Sequence, residues 1–251
     1  MPKVVITGTS QGIGHHLALK FLANGFDVTG VSRSRTEIDH PAFKSYSADV
    51  SDLGSLNAMV DEIDDGSIVG LVNNAGSHGP IGPFESTPIE DWIQAFYPNL
   101  FGAATLSQLL IPSLRTNKGF IIFLSGGGSA FPRPNFSAYG VSKTGVVRLS
   151  EVLAKELAPD VFVYCVAPGP NQTSLLQEAI DGGEPVPPED IVGFDFVERL
   201  CLFLANNRDS RYSGKFIHVR DSYDDWGDPQ LEPEPYTLRR TDPSTLSRIN
   251  F

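Results

Sequence analysis

Short apolar runs of strand length recur along the chain, separated by longer stretches whose apolar residues repeat at helical spacing. The runs lie at Lys3 to Thr7, Asp27 to Val31, Lys44 to Ser47, Ile68 to Val72, Gly119 to Leu124, Val161 to Val166 and Lys215 to Val219, with no internal repeat. Strands joined by connections of helix length predict a three-layer α/β fold: a parallel sheet with helices on both faces. In such folds ligands bind at the carboxyl ends of the strands.

Two motifs at such ends carry chemistry. After the first strand come Gly8, Gly12 and Gly14, then the apolar-periodic stretch Ile13 to Leu22. A strand, a tight turn and a helix start in that order aim backbone N–H groups and the positive helix end at a pyrophosphate. The spacing is G-x-x-x-G-x-G rather than G-x-G-x-x-G, but the physical needs are the same: Gly8 for the turn, Gly12 for close backbone approach, Gly14 for packing of the helix on the strand. Farther on, Tyr139 and Lys143 stand four apart, which on a helix puts them on one face. A phenol ionises near pH ~10, and bringing it to about neutrality takes about 4 kcal/mol of differential stabilisation. The ammonium of Lys143, a cationic cofactor ring and desolvation are the expected sources.

Length and composition agree with one dinucleotide-binding and catalytic domain, 1–220, followed by an extension. The chain has 251 residues, 41% hydrophobic and 20% charged, enough to bury a full core. A net charge of −11 argues against nucleic acid or an anionic membrane as partner, and the arginines, such as Arg115, Arg133 and Arg148, look scattered. No apolar run reaches membrane-spanning length and the first strand begins almost at Met1, so a cytoplasmic protein is expected. Cys165 and Cys201 fall in apolar segments and read as buried core; the adjacent His15 and His16 diverge on a helix and read as packing, so no metal is expected.

The motifs together resemble the short-chain dehydrogenase/reductase family, over roughly Lys3 to Val219: "TGTSQGIG" at Thr7 to Gly14, "ADV" at Ala48 to Val50, "NNAG" at Asn73 to Gly76, Asn99, Ser125, Tyr139 with Lys143, and "PGPNQT" at Pro168 to Thr173. The resemblance implies a Rossmann fold with a seven-stranded parallel sheet in the order 3-2-1-4-5-6-7. It also implies hydride transfer between a nicotinamide and a small-molecule carbonyl or secondary alcohol, with Tyr139 as general acid/base. Lys143 would hold the nicotinamide ribose and Asn99 a water linking the lysine to solvent. Pro98, just before Asn99, should kink its helix and free a carbonyl there. Gly8, Thr9, Ser10, Gly12, Ile13 and Gly14 would cradle the dinucleotide, Asp49 and Val50 meet the adenine, Asn73, Ala75 and Gly76 line the channel, and Pro168, Gly169 and Thr173 reach the nicotinamide end. Relatives commonly pair through the helices carrying Asn99 and Tyr139, so a homodimer or homotetramer is expected.

Cofactor choice turns on the end of the second strand. A carboxylate there would bind the ribose 2′-OH and favour NAD. This chain has Ser32 and Arg33, with Arg35 nearby, and a guanidinium matches a 2′-phosphate, so NADP is expected; NAD remains the alternative if Arg33 only covers the adenine. The family's substrate-orienting serine stands thirteen positions before the tyrosine, where this chain has Gly126. Ser125 is the nearest substitute, with Ser129 and Ser137 as alternatives; if none reaches the carbonyl, polarisation falls to Tyr139 alone. Phe131, Phe136, His78 and Leu175 are candidate pocket walls, and Gly182 and Gly183 candidate hinges of a lid. The proline- and acid-rich 221–251 is expected to pack on the domain or a neighbouring subunit through Tyr223, Trp226, Leu231, Tyr236, Leu238 and Leu246. A protein of another class, one that binds the nucleotide but has lost efficient chemistry and acts as a redox sensor or assembly subunit, is the alternative. Within the enzyme class an acyl-carrier ketoreductase and a sugar-modifying dehydrogenase both stay open.

Overall fold

The computed structural model describes residues 1–221 and Leu238. Seven strands, β1 (Lys3–Thr7), β2 (Asp27–Ser32), β3 (Phe43–Ser47), β4 (Ile68–Asn73), β5 (Phe120–Leu124), β6 (Phe162–Ala167) and β7 (Phe216–His218), form one parallel sheet in the order β3-β2-β1-β4-β5-β6-β7. The strands match the apolar runs to within a residue or so at each end, the usual uncertainty of strand ends read from pattern alone. Order reverses between β1 and β4, which opens a crevice at their carboxyl ends.

Alternation along the strands divides the core. Val4, Ile6 and Val28 face α1 (Gly12–Ala23) and α7 (Phe194–Asn207), whose Leu17, Phe21, Val197 and Leu200 are fully buried against them. Val5, Val31 and Leu71 face the opposite layer, α2 (Leu53–Ile63), α4 (Gly102–Thr116) and α5 (Ser137–Glu156), through Leu56, Leu106, Leu110, Val146 and Val147. β5 is buried at every position, as a central parallel strand covered on both faces must be. Two short helices, α3 (Ile89–Gln94) and α6 (Ser174–Asp181), lie outside these layers, α6 following β6 at the carboxyl edge.

Helix ends follow the local sequence. Asp52 caps α2, accepting from the amides of Gly54 at 3.2 Å and Ser55 at 3.3 Å. Before α4 the expected proline kink takes the form of one π-helical turn, Tyr97–Phe101, with Pro98 near its start and Asn99 buried inside it. A missing amide and an extra residue in the turn are two consequences of the same proline. Of the extension, Leu238 donates its amide to Glu151 Oε1 at 2.6 Å and accepts from Arg148 with its carbonyl, against α5. Tyr223, Trp226, Leu231, Tyr236 and Leu246 lie outside the described residues. Among the described residues no helix is long and apolar enough to cross a membrane.

Candidate active site

The glycine turn after β1 is shaped for close approach. Gly8 and Gly12 have φ of 73° and 59°, in the left-handed region that glycine tolerates. A Cβ on Gly14 would come within 2.2 Å of the Gly8 carbonyl and 2.5 Å of Asn74 Nδ2, so α1 packs on the turn only because that side chain is absent. Asn74 locks the turn, donating to the carbonyls of Thr7 at 2.8 Å and Gly8 at 3.3 Å, while Thr7 Oγ1 accepts from the amides of Asn74 and Ala75, each at 3.0 Å. Sequence reasoning chose Asn73 for this region. Its side chain instead turns into the packing between sheet and α4, donating to Ser107 Oγ at 3.1 Å, and the neighbouring Asn74 reaches the cleft. Strand parity is the signal for Asn73, which shares the face of Leu71 toward α4, while Asn74 follows the end of β4.

Thr9 is fully buried, sharing a hydrogen bond with Thr36 Oγ1 at 2.8 Å, whereas Ser10 is exposed on the turn. Ser32 is buried, with its hydroxyl donated to the Ser34 carbonyl at 2.7 Å. Arg33 is exposed just past it and forms no ion pair among the described residues. Asp49 accepts from the amide of Ser51 at 2.8 Å, and Val50 is buried with its carbonyl against Gly102 of α4. A Cβ on Gly12 would lie 3.0 Å from Thr173 Cγ2, so Thr173 meets the glycine turn across the crevice. The Thr173 hydroxyl caps α6, accepting from the amide of Leu176 at 3.2 Å.

Between these walls lies a cavity of about 530 Å³ lined by Ile13, Asn74, Gly76, His78, Ser125, Gly126, Arg133, Tyr139, Lys143, Pro168, Gly169, Thr173, Leu175 and Glu184, among others. Phe131 lines it, while Phe136 packs behind, in a small cluster with Tyr139 and Ala179 of α6. Tyr139 and Lys143 are both buried on one face of α5. Lys143 Nζ donates to the Leu124 carbonyl at 2.9 Å, at the end of β5. Asn99 is tied to Ser77 in both directions, donating to its carbonyl at 2.8 Å and accepting from its amide at 2.9 Å, and donates to Ser142 Oγ at 3.0 Å. A Cβ on Gly76 would lie 2.7 Å from Asn99 Oδ1 and 3.3 Å from Lys143 Nζ, which brings all three residues to one spot.

The electrostatics differ from the expectation at Tyr139. Burial raises its pKa, and the cation that draws it down is Arg133; Lys143 Nζ sits 5.9 Å from the ring centre and is itself held down to about 8 by burial. Burial opposes both charged forms at once, favouring the neutral phenol and weakening the ammonium. The serines also differ. Ser125 Oγ shares a hydrogen bond with Ser129 Oγ at 2.9 Å and donates to the Lys143 carbonyl at 3.3 Å; Ser129 donates to the Gly126 carbonyl at 2.6 Å; Ser137 Oγ accepts from Trp92 at 3.0 Å. The Tyr139 hydroxyl lies over Gly126 instead, 2.5 Å from where a Cβ would stand. Arg133, one of the arginines scattered along the sequence, is in the cavity wall, 4.4 Å from the centre of the Phe136 ring.

Against known proteins, the short chain dehydrogenase family model matches residues 2–182. The 11-beta-hydroxysteroid dehydrogenase-like 3 protein of Arabidopsis thaliana is 31% identical over 184 residues, 68% of this chain and 60% of the relative. The NADPH-dependent 3-dehydrocapnine reductase of Ornithobacterium rhinotracheale is 32% identical over 208 residues, 76% and 72% of the two chains. The chain thus spans less than two thirds of the length of the plant relative. Among solved structures, a Brucella melitensis 3-ketoacyl-(acyl-carrier-protein) reductase complexed with NADH superposes with a TM-score of 0.79 at 26% identity, covering 86% of this chain and 96% of that one. ElxO with NADP bound does so with a TM-score of 0.75, also at 26% identity and with the same coverage. With the motif positions, the seven-strand order and these likenesses in agreement, the chain belongs to the short-chain dehydrogenase/reductase family.

Proposed function

We propose that the protein is an NADP(H)-dependent oxidoreductase that interconverts a small ketone and its secondary alcohol, with Tyr139 as general acid/base. The observation that carries the reading is the Tyr139 hydroxyl seated over Gly126 in a cavity that Lys143, Asn74, Gly76 and Thr173 also border. The residues fit a dinucleotide: the left-handed glycine turn, where a Cβ on Gly8 or Gly12 would strike Asn74 or Thr173, brings bare backbone and the start of α1 to the crevice for a pyrophosphate, and exposed Arg33 stands one residue past the end of β2, free for a 2′-phosphate. Bound there, a nicotinamide would supply the hydride. Tyr139, kept protonated by burial, would donate the proton to the carbonyl oxygen, and the Lys143 ammonium would orient the ribose and stabilise the phenolate left behind until a proton from solvent restores it. Gly8, Thr9, Ser10, Gly12, Ile13, Gly14, Ser32, Asp49, Val50, Ala75, Pro168 and Gly169 border the cofactor in this reading, and Asn99 holds Ser77 and Ser142 in place behind Lys143.

The test is NADPH oxidation against a panel of ketones, with Tyr139→Phe as control. The variant should keep NADPH binding and lose about a thousandfold in kcat. A second reading, a nucleotide-binding protein with little catalysis, rests on a specific observation: the hydroxyl of Ser125 is committed to Ser129 and the Lys143 carbonyl, and Gly126 offers no side-chain donor. Tight NADPH binding with no Tyr139-dependent turnover on any carbonyl would favour it.

A further inference from the structure

The cavity holds a charged pair, Arg133 with Glu184, to which the redox chemistry assigns no contact with substrate. Arg133 comes from the loop between β5 and α5, and Glu184 from the segment just after α6; their contact is a single one, Nε to Oε1 at 3.2 Å, with both side chains largely covered. Two further guanidinium nitrogens have no partner among the described residues. The guanidinium carbon lies 5.8 Å from the centre of the Tyr139 ring. Arginine presents a planar fork that a carboxylate satisfies with two parallel hydrogen bonds, and one oxygen of Glu184 fills it only in part. Glu184 follows Gly183, whose φ of 91° only glycine holds easily, so the carboxylate sits on a segment with a pivot beside it.

We infer that Arg133 is the recognition point for a carboxylate on the substrate, and that Glu184 holds its place until the substrate arrives. The substrate class is then a short oxo acid, or the corresponding hydroxy acid, with its carbonyl beside Tyr139. In the reducing direction the dinucleotide gives a hydride to the carbonyl carbon and Tyr139 gives a proton to its oxygen, leaving a hydroxy acid and the oxidised dinucleotide. The other groups facing Arg133 agree. His78, buried beside the Tyr139 ring, is held down to about 4 by burial and by the positive charges of Arg133 and Lys143, so it stays neutral at physiological pH; the charges lining the cavity are then Arg133, Lys143 and Glu184, with Glu178 3.7 Å from His78 Nδ1. In a chain of net charge −11, an arginine spent inside the catalytic cavity needs a local reason.

This inference names the substrate class of the proposed oxidoreductase and so rests on that reading; its test separates the two. Short straight-chain oxo acids are compared with their methyl esters as substrates, and pentanoate with pentanamide as ligands by calorimetry, the last two having no ketone to reduce. Native protein should prefer the acid to the ester in kcat/KM, and pentanoate to pentanamide in affinity, by about tenfold or more. Arg133→Gln should bring both ratios to about one, and Glu184→Gln, which removes the competing carboxylate, should tighten pentanoate. Pentanoate held through Arg133 without turnover of any ketone would retain the carboxylate site and sink the redox reading. Ratios near one in the native protein, or ratios that Arg133→Gln leaves unchanged, would overturn the inference while leaving the redox reading intact.

Discussion

Gly126 stands where the family resemblance leads one to expect a serine, and the Tyr139 hydroxyl occupies the room that a side chain there would need. Restoring the serine is therefore expected to harm rather than help. A Cβ at 2.5 Å from the hydroxyl must displace it, and a misplacement of about 1 Å at the reacting group costs on the order of a hundredfold. Gly126→Ser should accordingly lower kcat by tenfold or more, measured by NADPH oxidation, with the melting temperature little changed. Lys143 gives a stability test. Its pKa falls from the ordinary 10.5 to about 8 because it is buried, so below pH 8 the folded protein carries a charge that the unfolded chain holds more easily, at a cost of about 3 kcal/mol. Between about 8 and 10.5 the folded state has lost that proton while the unfolded chain keeps it, so stability rises with pH across that window. Lys143→Met should thus melt above the native protein at pH 7, less the bond to the Leu124 carbonyl, and the gap should close by pH ~10 while activity is lost throughout.

At the scale of elements, close approaches of sheet and helices are made by glycines that no motif marks. Gly70 on β4 is the register partner of Phe120 on β5, whose ring lies 2.2 Å from where a Cβ would stand. Phe120 is fully buried between β4 and α1, against Phe21, and has nowhere to move. Gly70→Ala should cost about 1–3 kcal/mol through overpacking, read as a lower melting temperature with unchanged activity per folded molecule. The π turn at Tyr97–Phe101 shows the same limit of local reading. Pro98 announced a disturbance, but whether the helix kinks, breaks or gains a residue depends on what packs against it, here the Val50 carbonyl pressed on Gly102.

For the whole molecule, the crevice at the β1/β4 switch point joins segments from Ile13 to His218, so a ligand seated there should stabilise the entire fold. NADPH at about a hundred times its Kd should add about 2.7 kcal/mol and raise the melting temperature by roughly 5–10 °C. NADH at equal concentration should do less, and Arg33→Ala should remove the difference, since a charge-assisted bond to the 2′-phosphate is worth about 1.5–3 kcal/mol. Equal shifts by the two dinucleotides would assign the exposed Arg33 no part in cofactor choice.

Local order alone determined a large part of this protein. Strand-length apolar runs at helix-length intervals dictate a covered parallel sheet, because each strand must bury both faces; the glycine turn and the Tyr139/Lys143 spacing could be read because both depend on neighbours within a few residues. Only the tertiary structure decided the rest. It turned Asn73 into the core and Asn74 into the cleft, engaged Ser125 with Ser129, and brought Arg133 to Glu184 across fifty-one residues of chain. It also made burial, rather than the nearby ammonium, the leading influence on the phenol. Such outcomes depend on which side chains meet across the fold and on how much water is excluded between them, and neither quantity is carried by spacing along the chain.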